Sequence, residues 1–370
     1  MTENAVVSIV KCPSYDPSVL EGAFRQVCTS ADFPDVRGRK VLLKPNVLSD
    51  SSVSDAITTN PEIVRLAIRY CREKGAADIL VGDSPGMQGQ NFRPERCGIL
   101  DVCREEGATW VDFTKDPDQV VISSTGTKLA MANAVSKADV IIGLCKMKTH
   151  QLMYATGAVK NFFGTIPGLH KSQCHMHFPS GDSFAKLLVG IHETVRPDFS
   201  IMDAVVSMEG PGPANGLPRN TGLLLGSSND YALDRAQALI MGYDPARIPV
   251  LSEAVGQHLM PKEILYPDLD AAQCVIKDYV RIPYRKKTGF FRNLVLPMLS
   301  RTIGGFFKRS EPGPEFIKDK CVQCLRCVKI CPAHALSFSA GDKRIVADYS
   351  KCIRCYCCHE MCPADAIKIK

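Results

Sequence analysis

The chain has 370 residues, 45% of them hydrophobic and 23% charged, with a formal net charge of +6. These proportions are those of folded globular proteins and exclude wholesale disorder, collagen-like repeats and coiled coil; at ~100–200 residues per domain, two or three domains are expected. No segment reaches the ~18 uninterrupted apolar residues of a membrane span, and the N-terminal stretch MTENAVVSIVKC lacks the basic, apolar and small-residue regions of a secretory signal, so a cytoplasmic location is expected.

Residues 1–275 read as alternating strands and helices. AVVSIV has strand length, PSVLEGAFRQVC has helical periodicity, and KVLLKP is a short buried strand. The next helix carries its own signals: Asn60 as N-cap, Pro61 at the first position, EIVRLAIRYCREK as body and Gly75 as terminator. ADILVGDSPG is a strand entering a turn, and PERCGILDVCREEG reads as one helix closed by glycine. ADVIIGLCKMKTH is a strand followed by a basic segment, SFAKLLVGIHETV a helix, FSIMDAVV a strand and YALDRAQALIMG a helix. Strands alternating with helices of this length predict an α/β domain with a mostly parallel sheet and flanking helices.

In such sheets ligands bind beyond the carboxyl ends of the strands. Four expected strands end in polar text: Lys44-Pro45-Asn46; Gly82-Asp83-Ser84-Pro85-Gly86; Lys146-Met147-Lys148-Thr149-His150; and Ser207-Met208-Glu209-Gly210. Each alone is readable as a turn; together they mark one edge. Residues 146–177 hold Lys146, Lys148, Lys160 and Lys171 with His150, His170, His175 and His177, and no Asp or Glu. Lysines with glycine-freed backbone N–H groups suit phosphate or carboxylate. The alternatives are a solvated basic loop, or a metal site at Cys174, His175 and His177. On the anion reading, Lys44, Asn46, Lys146, Lys148, Lys160, Asn161 and Lys171 bind the substrate. His150 and His175 supply protons, and Asp83 and Glu209 relay them or hold a metal.

Residues 276–315 change character. Over residues 277–310, Lys277, Arg281, Arg285, Lys286, Lys287, Arg292, Arg301, Lys308 and Arg309 accompany a single acidic residue, Asp278, before the stiff EPGPEF. This reads as a basic linker; a docking face for an acidic redox partner and an amphipathic membrane-surface helix are the other readings.

Nine of the 17 cysteines lie between Cys321 and Cys362. In a chain this long without an export signal they read as metal ligands rather than disulfides. CVQCLRCVKICPAHALSF, starting at Cys321, aligns without gaps to CIRCYCCHEMCPADAIKI, starting at Cys352, and both contain C-x2-C-x2-C-x3-C-P. Three close cysteines wrap one cubane cluster while the fourth, before its proline, is directed to the other. One [4Fe-4S] cluster is therefore expected on Cys321, Cys324, Cys327 and Cys362, and a second on Cys352, Cys355, Cys358 and Cys331. Cys357 aligns with Arg326 and is not expected to be a ligand. Zinc sites usually close on pairs of CxxC and do not share ligands this way. Two oxidised clusters, each −2 with its thiolates, offset four of the six positive charges, so the basic balance does not point to nucleic acid.

Residues 316–370 thus resemble the bacterial-type two-cluster ferredoxin domain, a small α+β fold. Over residues 5–260, KPN, GDSPG, KMKTH, GAVKNFFGTIPGLHK and DAVVSMEGPGP resemble the domain of unknown function 362 family, described as uncharacterised iron–sulfur-centre proteins. The resemblance implies an oxygen-sensitive redox protein and supplies no substrate. It carries over the motif positions Lys44, Asn46, Asp83, Lys146, Lys148, His150, Lys160, Asn161, Lys171, Asp203 and Glu209. Two functions are expected: electron delivery through the clusters to an anionic small molecule in the α/β domain, or a non-catalytic electron carrier or assembly protein that docks to a partner enzyme. A redox sensor ranks behind both. No G-x-G-x-x-G follows a strand, so no nicotinamide or flavin fingerprint is visible.

Overall fold

The computed structural model describes residues 4–85, 94–116, 118–168, 170–285 and 312–370. The chain divides into two compact units: residues 1–171 with 181–282, and residues 172–180 with 283–370.

The strands of the first unit are β1 (Asn4–Val6), β2 (Ser8–Lys11), β3 (Lys40–Pro45), β4 (Asp78–Asp83), β5 (Thr109–Asp112), β6 (Asp118–Ile122), β7 (Lys128–Ala132), β8 (Val140–His150), β9 (Tyr154–Thr156), β10 (Phe199–Glu209), β11 (Leu217–Ser227) and β12 (Glu263–Leu265). Its helices include α1 (Pro17–Ser30), α2 (Pro61–Glu73), α3 (Ile99–Glu105), α4 (Asn133–Lys137) and α5 (Ala158–Asn161). After α6 (His170–His177), whose residues from Ser172 on group with the second unit, come α7 (Gly181–Val195), α8 (Asp230–Ile240) and α9 (Pro249–Gly256).

The main sheet runs β2-β11-β10-β8-β3-β4-β5, with β9 paired to β8. From β10 to β5 every pairing is parallel. Central β3 shows why: Val41, Leu42 and Leu43 are all fully buried, as befits a strand covered on both faces by helices. Helix α2 forms where its signals place it. Asn60 Oδ1 accepts from Glu62 N, Pro61 opens the helix, and Ile63, Val64, Ala67, Ile68 and Cys71 bury one face.

Three features depart from the sequence reading. First, β11 is antiparallel to both neighbours, β10 and β2, so one side of the sheet is mixed. Second, PERCGILDVCREEG is broken at Gly98, which takes φ 72° between a 3-10 turn at Pro94–Cys97 and α3. Third, β8 and β10 do not stop at their apolar cores. Beyond the Pro45–Leu144 pairing, β8 continues through Lys146 and Lys148 to His150, and β10 continues to Glu209. A register shift between Asp203 and Met208 marks the overhang, and β9 pairs with its far end. The expected basic segment is thus the end of a strand. A hairpin of β6 and β7 also escaped the sequence reading.

In the second unit, β13 (Pro314–Phe316) pairs with β16 (Ile367–Ile369), and β14 (Leu336–Ser339) with β15 (Arg344–Ala347), both antiparallel. The short helices are α10 (Arg326–Ile330) and α11 (Cys357–Glu360). The duplication extends to the backbone: Gln323, Leu325 and His334 have positive φ, and so do their counterparts Arg354, Tyr356 and Asp365. The expected basic linker falls mainly on residues 286–311, outside the described residues. Its first part, to Ile282, belongs to the first unit: Val280 N donates to Glu209 Oε2, and Tyr279 Oη donates to the Met208 carbonyl. Among the described residues no helix is long and apolar enough to cross a membrane.

Candidate functional site

Three lysines from the carboxyl edge of the first unit's sheet point inward and are buried. Lys44, at the end of β3, pairs with Asp83, at the end of β4, at 2.7 Å, with side-chain exposures of 1% and 3%. Burial pushes Lys44 below the usual lysine pKa, against the pull of Asp83. Lys44 Nζ also donates to the Pro45 carbonyl and to Asn161 Oδ1, while Asn161 Nδ2 donates back to the Lys44 carbonyl. Asp83 is held in turn by Val47 N and Ser84 N.

Lys146 pairs with Asp203 across the β8–β10 parallel register at 2.8 Å. Tyr15 Oη donates to Asp203 Oδ1 and accepts from Lys146 Nζ, and Asn60 N donates to Asp203 Oδ2. Burial lowers the pKa of Lys146 as well, again opposed by its carboxylate. Lys148 donates to two neutral oxygens, Asn46 Oδ1 at 2.6 Å and the Ile57 carbonyl at 2.7 Å.

Of these groups, Lys146, Lys148, Asn46 and Asn161 line a cavity of about 30 Å³, while Lys44 and Asp83 do not. Among the described residues its wall holds Lys146, Lys148, Lys160, Asn46, Asn161 and Thr156, with no carboxylate. Lys160 and Asn161 reach it from α5, whose first two amides, Ala158 N and Val159 N, are held by buried Asp234 of α8. Burial, with Asp230 nearby, pushes the Asp234 carboxyl up to about 7. Gly157 is required there, since a Cβ would lie 1.9 Å from Asp234 Oδ1.

The other expected site residues lie elsewhere. His150 is buried, but its Nδ1 accepts from Leu152 N and Met153 N and so pins the β8–β9 turn. Glu209 accepts from Val280 N and pairs with Arg219. Lys171 donates to the Ser84 and Pro85 carbonyls. His175 belongs to the second unit. Among the described residues no three His, Cys, Asp or Glu side chains form a site for a single metal ion. Tyr15, Thr156 and Asp234 were missed; Tyr15 lies 188 residues from Asp203, and no local pattern ties the two.

In the second unit the cysteines gather in two sets. Cys321, Cys324, Cys327 and Cys362 line one cavity of about 380 Å³. Cys331, Cys352, Cys355 and Cys358, with Cys357, line a narrower one of about 20 Å³. Each run thus sends its last cysteine to the other's cavity. Four cysteine sulfurs on the first cavity and five on the second are soft donors of the kind a cubane uses, in which each of four thiolates binds a different iron. The residues present therefore fit such a group.

Residues 41–238 match the family model described as Domain of unknown function (DUF362), and residues 314–363 match the 4Fe-4S dicluster domain. A curated protein of Synechocystis sp. described as thylakoid-associated is 31% identical over 245 residues, covering 65% of this chain and 76% of that protein. Among solved structures, the lactate racemase apoprotein from Thermoanaerobacterium thermosaccharolyticum matches at 11% identity and TM-score 0.42, covering 61% of this chain and 54% of that one. A Thermotoga maritima protein matches at 11% identity and TM-score 0.36, covering 57% and 55%. The chain spans about half the length of these two structures.

Proposed function

From the premise that this chain belongs to the domain of unknown function 362 family and carries a 4Fe-4S dicluster domain, which makes it an iron–sulfur protein of redox type, we propose that it delivers electrons to an anionic small molecule bound at the lysine-lined cavity. Two [4Fe-4S] clusters would be held by Cys321, Cys324, Cys327 and Cys362 and by Cys352, Cys355, Cys358 and Cys331, and would supply one-electron transfer.

The observation that carries the binding reading is the cavity wall: three lysines, two asparagines and no carboxylate among the described residues. Lys148 and Lys160 receive the negative group, and Asn46 and Asn161, each fixed by a lysine ammonium, orient it. At about 30 Å³ the cavity has room for a head group the size of a carboxylate, not for a whole cofactor. Lys146 is the proton source on the wall: burial has lowered its affinity for a proton, and Asp203 and Tyr15 fix its position. This role replaces the one expected of His150, whose Nδ1 is occupied by backbone. Asp83 acts by fixing Lys44, and Glu209 by tying down the segment around Val280.

The test is reoxidation of the anaerobically purified, pre-reduced protein by fractionated cell extract, followed through the visible cluster absorbance. Recovery with the small-molecule fraction, lost in Lys160→Ala at unchanged iron content, supports the reading; recovery at the wild-type rate in that variant refutes it. The second reading, a non-catalytic electron carrier or assembly protein that docks to a partner, draws on the thylakoid association of the Synechocystis protein. It requires recovery only with the protein fraction.

A further inference from the structure

The turn that brings Lys160 and Asn161 to the cavity is short. Helix α5 is a single turn, closed by Asn161 N donating to the Gly157 carbonyl at 3.1 Å. Four residues do not hold a helix by themselves, so the place of Lys160 and Asn161 depends on what the turn is fastened to. Its end is fastened to β3, through the hydrogen bonds between Asn161 and Lys44. Its start is fastened to α8: Ala158 N donates to Asp234 Oδ1 at 2.6 Å and Val159 N to Asp234 Oδ2 at 3.2 Å. Both carboxylate oxygens are thus committed to successive amides. Gly157 lies against the same carboxylate, where a Cβ would fall 1.9 Å from one oxygen and 2.7 Å from the other. Gly157, Lys160 and Asn161 all line the cavity.

The titratable groups that face Asp234 are Asp230 and Tyr231 on its own helix, His192 of α7 and Cys145 of β8, with Lys160 carried by α5 itself. Burial and Asp230 push the Asp234 carboxyl up to about 7, against the two amides and His192. His192 is raised to about 9, and burial lifts the Cys145 thiol and the Tyr231 hydroxyl above their ordinary values, so none of these three changes charge between pH 6 and pH 8. A carboxylate accepts at both oxygens, whereas a carboxyl group turns one of them into a donor. Protonation therefore loosens one of the two amides that fasten α5.

Resting on the reading that the lysine-lined cavity binds an anion, we propose that Asp234 is the positioning residue of that cavity and makes its affinity depend on pH. Ionised, it fastens α5 by two amides and holds Lys160 and Asn161 on the wall; protonated, it loosens the turn and weakens the hold on the anion. Asp234 acts through α5 and does not line the cavity itself. The sign of the effect is distinctive. Lys44 and Lys146, whose proton affinity burial has lowered, gain charge as the pH falls and by themselves would tighten anion binding. Control by Asp234 weakens it instead.

The test uses the full chain, purified anaerobically, as wild type and Asp234→Asn. Binding of radiolabelled formate, the smallest carboxylate and an anion throughout the range, is measured by equilibrium dialysis at pH 6 and pH 8. Hydrogen exchange of residues 156–165, corrected for intrinsic rates, is followed without ligand at both values. Wild-type affinity should fall about tenfold from pH 8 to pH 6, in proportion to the ionised fraction, while exchange of the α5 amides rises. Asp234→Asn, whose amide offers one acceptor and one donor, should bind weakly and exchange fast at both values, as wild type does at pH 6. Wild-type affinity that is unchanged or higher at pH 6 overturns the inference and leaves the binding reading intact; this arm needs no variant and decides even where Asp234→Asn does not fold. An Asp234→Asn chain that keeps the wild-type pH profile also overturns it. A wild type that binds no formate at either pH, with α5 protected, overturns the binding reading and the inference with it.

Discussion

Gly164 is where the tolerance for any side chain is smallest beside a charged pair. A Cβ there would lie 2.2 Å from Asp83 Oδ1 and 2.6 Å from Lys44 Nζ, so the backbone passes directly over the buried ion pair. Gly164→Ala should destabilise the first unit by about 1–3 kcal/mol through overpacking, measured by urea denaturation. Removing a charge is worse than crowding it. Asp203→Ala leaves Lys146 buried without its carboxylate and should cost about 3–5 kcal/mol, whereas the double variant Asp203→Ala with Lys146→Met should recover part of that loss. The sequence showed the lysines and their spacing, because charged residues after apolar runs stand out. It did not show which carboxylates would neutralise them, since those partners come together only through the parallel register of β3 with β4 and β8 with β10.

Between elements, α7 and α8 are joined by a buried polar contact. His192 of α7 meets Asp230 of α8 at 2.9 Å and its own neighbour Glu193 at 3.2 Å, and Tyr231 Oη donates to Glu193. Burial opposes a charge on His192, but the hydrogen bonds to the two carboxylates outweigh it and raise the pKa from 6.5 to about 9. The folded state therefore holds a proton that the unfolded chain gives up. Its stabilising contribution is full below pH 6.5 and is lost as the pH rises through about 9. Hydrogen exchange of the α8 amides, corrected for intrinsic rates, should show protection falling over that range, and His192→Gln should flatten the dependence. The helices α1, α2, α7 and α8 were legible because their apolar spacing and caps are local. The overhanging ends of β8 and β10 were not: lysine, threonine and histidine in sequence look like a loop, and only pairing with β9 and β11 makes them strands.

For the molecule as a whole, the two units owe their stability to different things. The first has a large apolar cluster that packs α1, α2 and α3 against one face of its sheet. A hydrophobic cluster of the second is small: Leu336, Ile345 and Ile367 with Cys327 and Cys358, two residues of the cysteine sets themselves. If those cysteines hold clusters as proposed, a unit whose core includes them should depend on the metal for folding. Anaerobic treatment with an iron chelator should make residues 312–370 sensitive to limited proteolysis while residues 4–285 keep their resistance, read by mass spectrometry of the fragments. The cysteine spacing announced the kinship of this unit, since a repeated C-x2-C-x2-C-x3-C-P run is the pattern that the 4Fe-4S dicluster match bears out. The α/β unit announced its layers but not its mixed side, because β11 carries polar residues along half its length and reads as coil.

The exchange of the fourth cysteine between the two runs has a consequence for biosynthesis. Cys362 closes the cavity begun at Cys321, and Cys331 waits for Cys352, Cys355 and Cys358. While the ribosome is still between the two runs, neither cavity has its complete set of cysteines. A chain cleaved between the runs would be left with two incomplete sets of cysteines rather than one complete half.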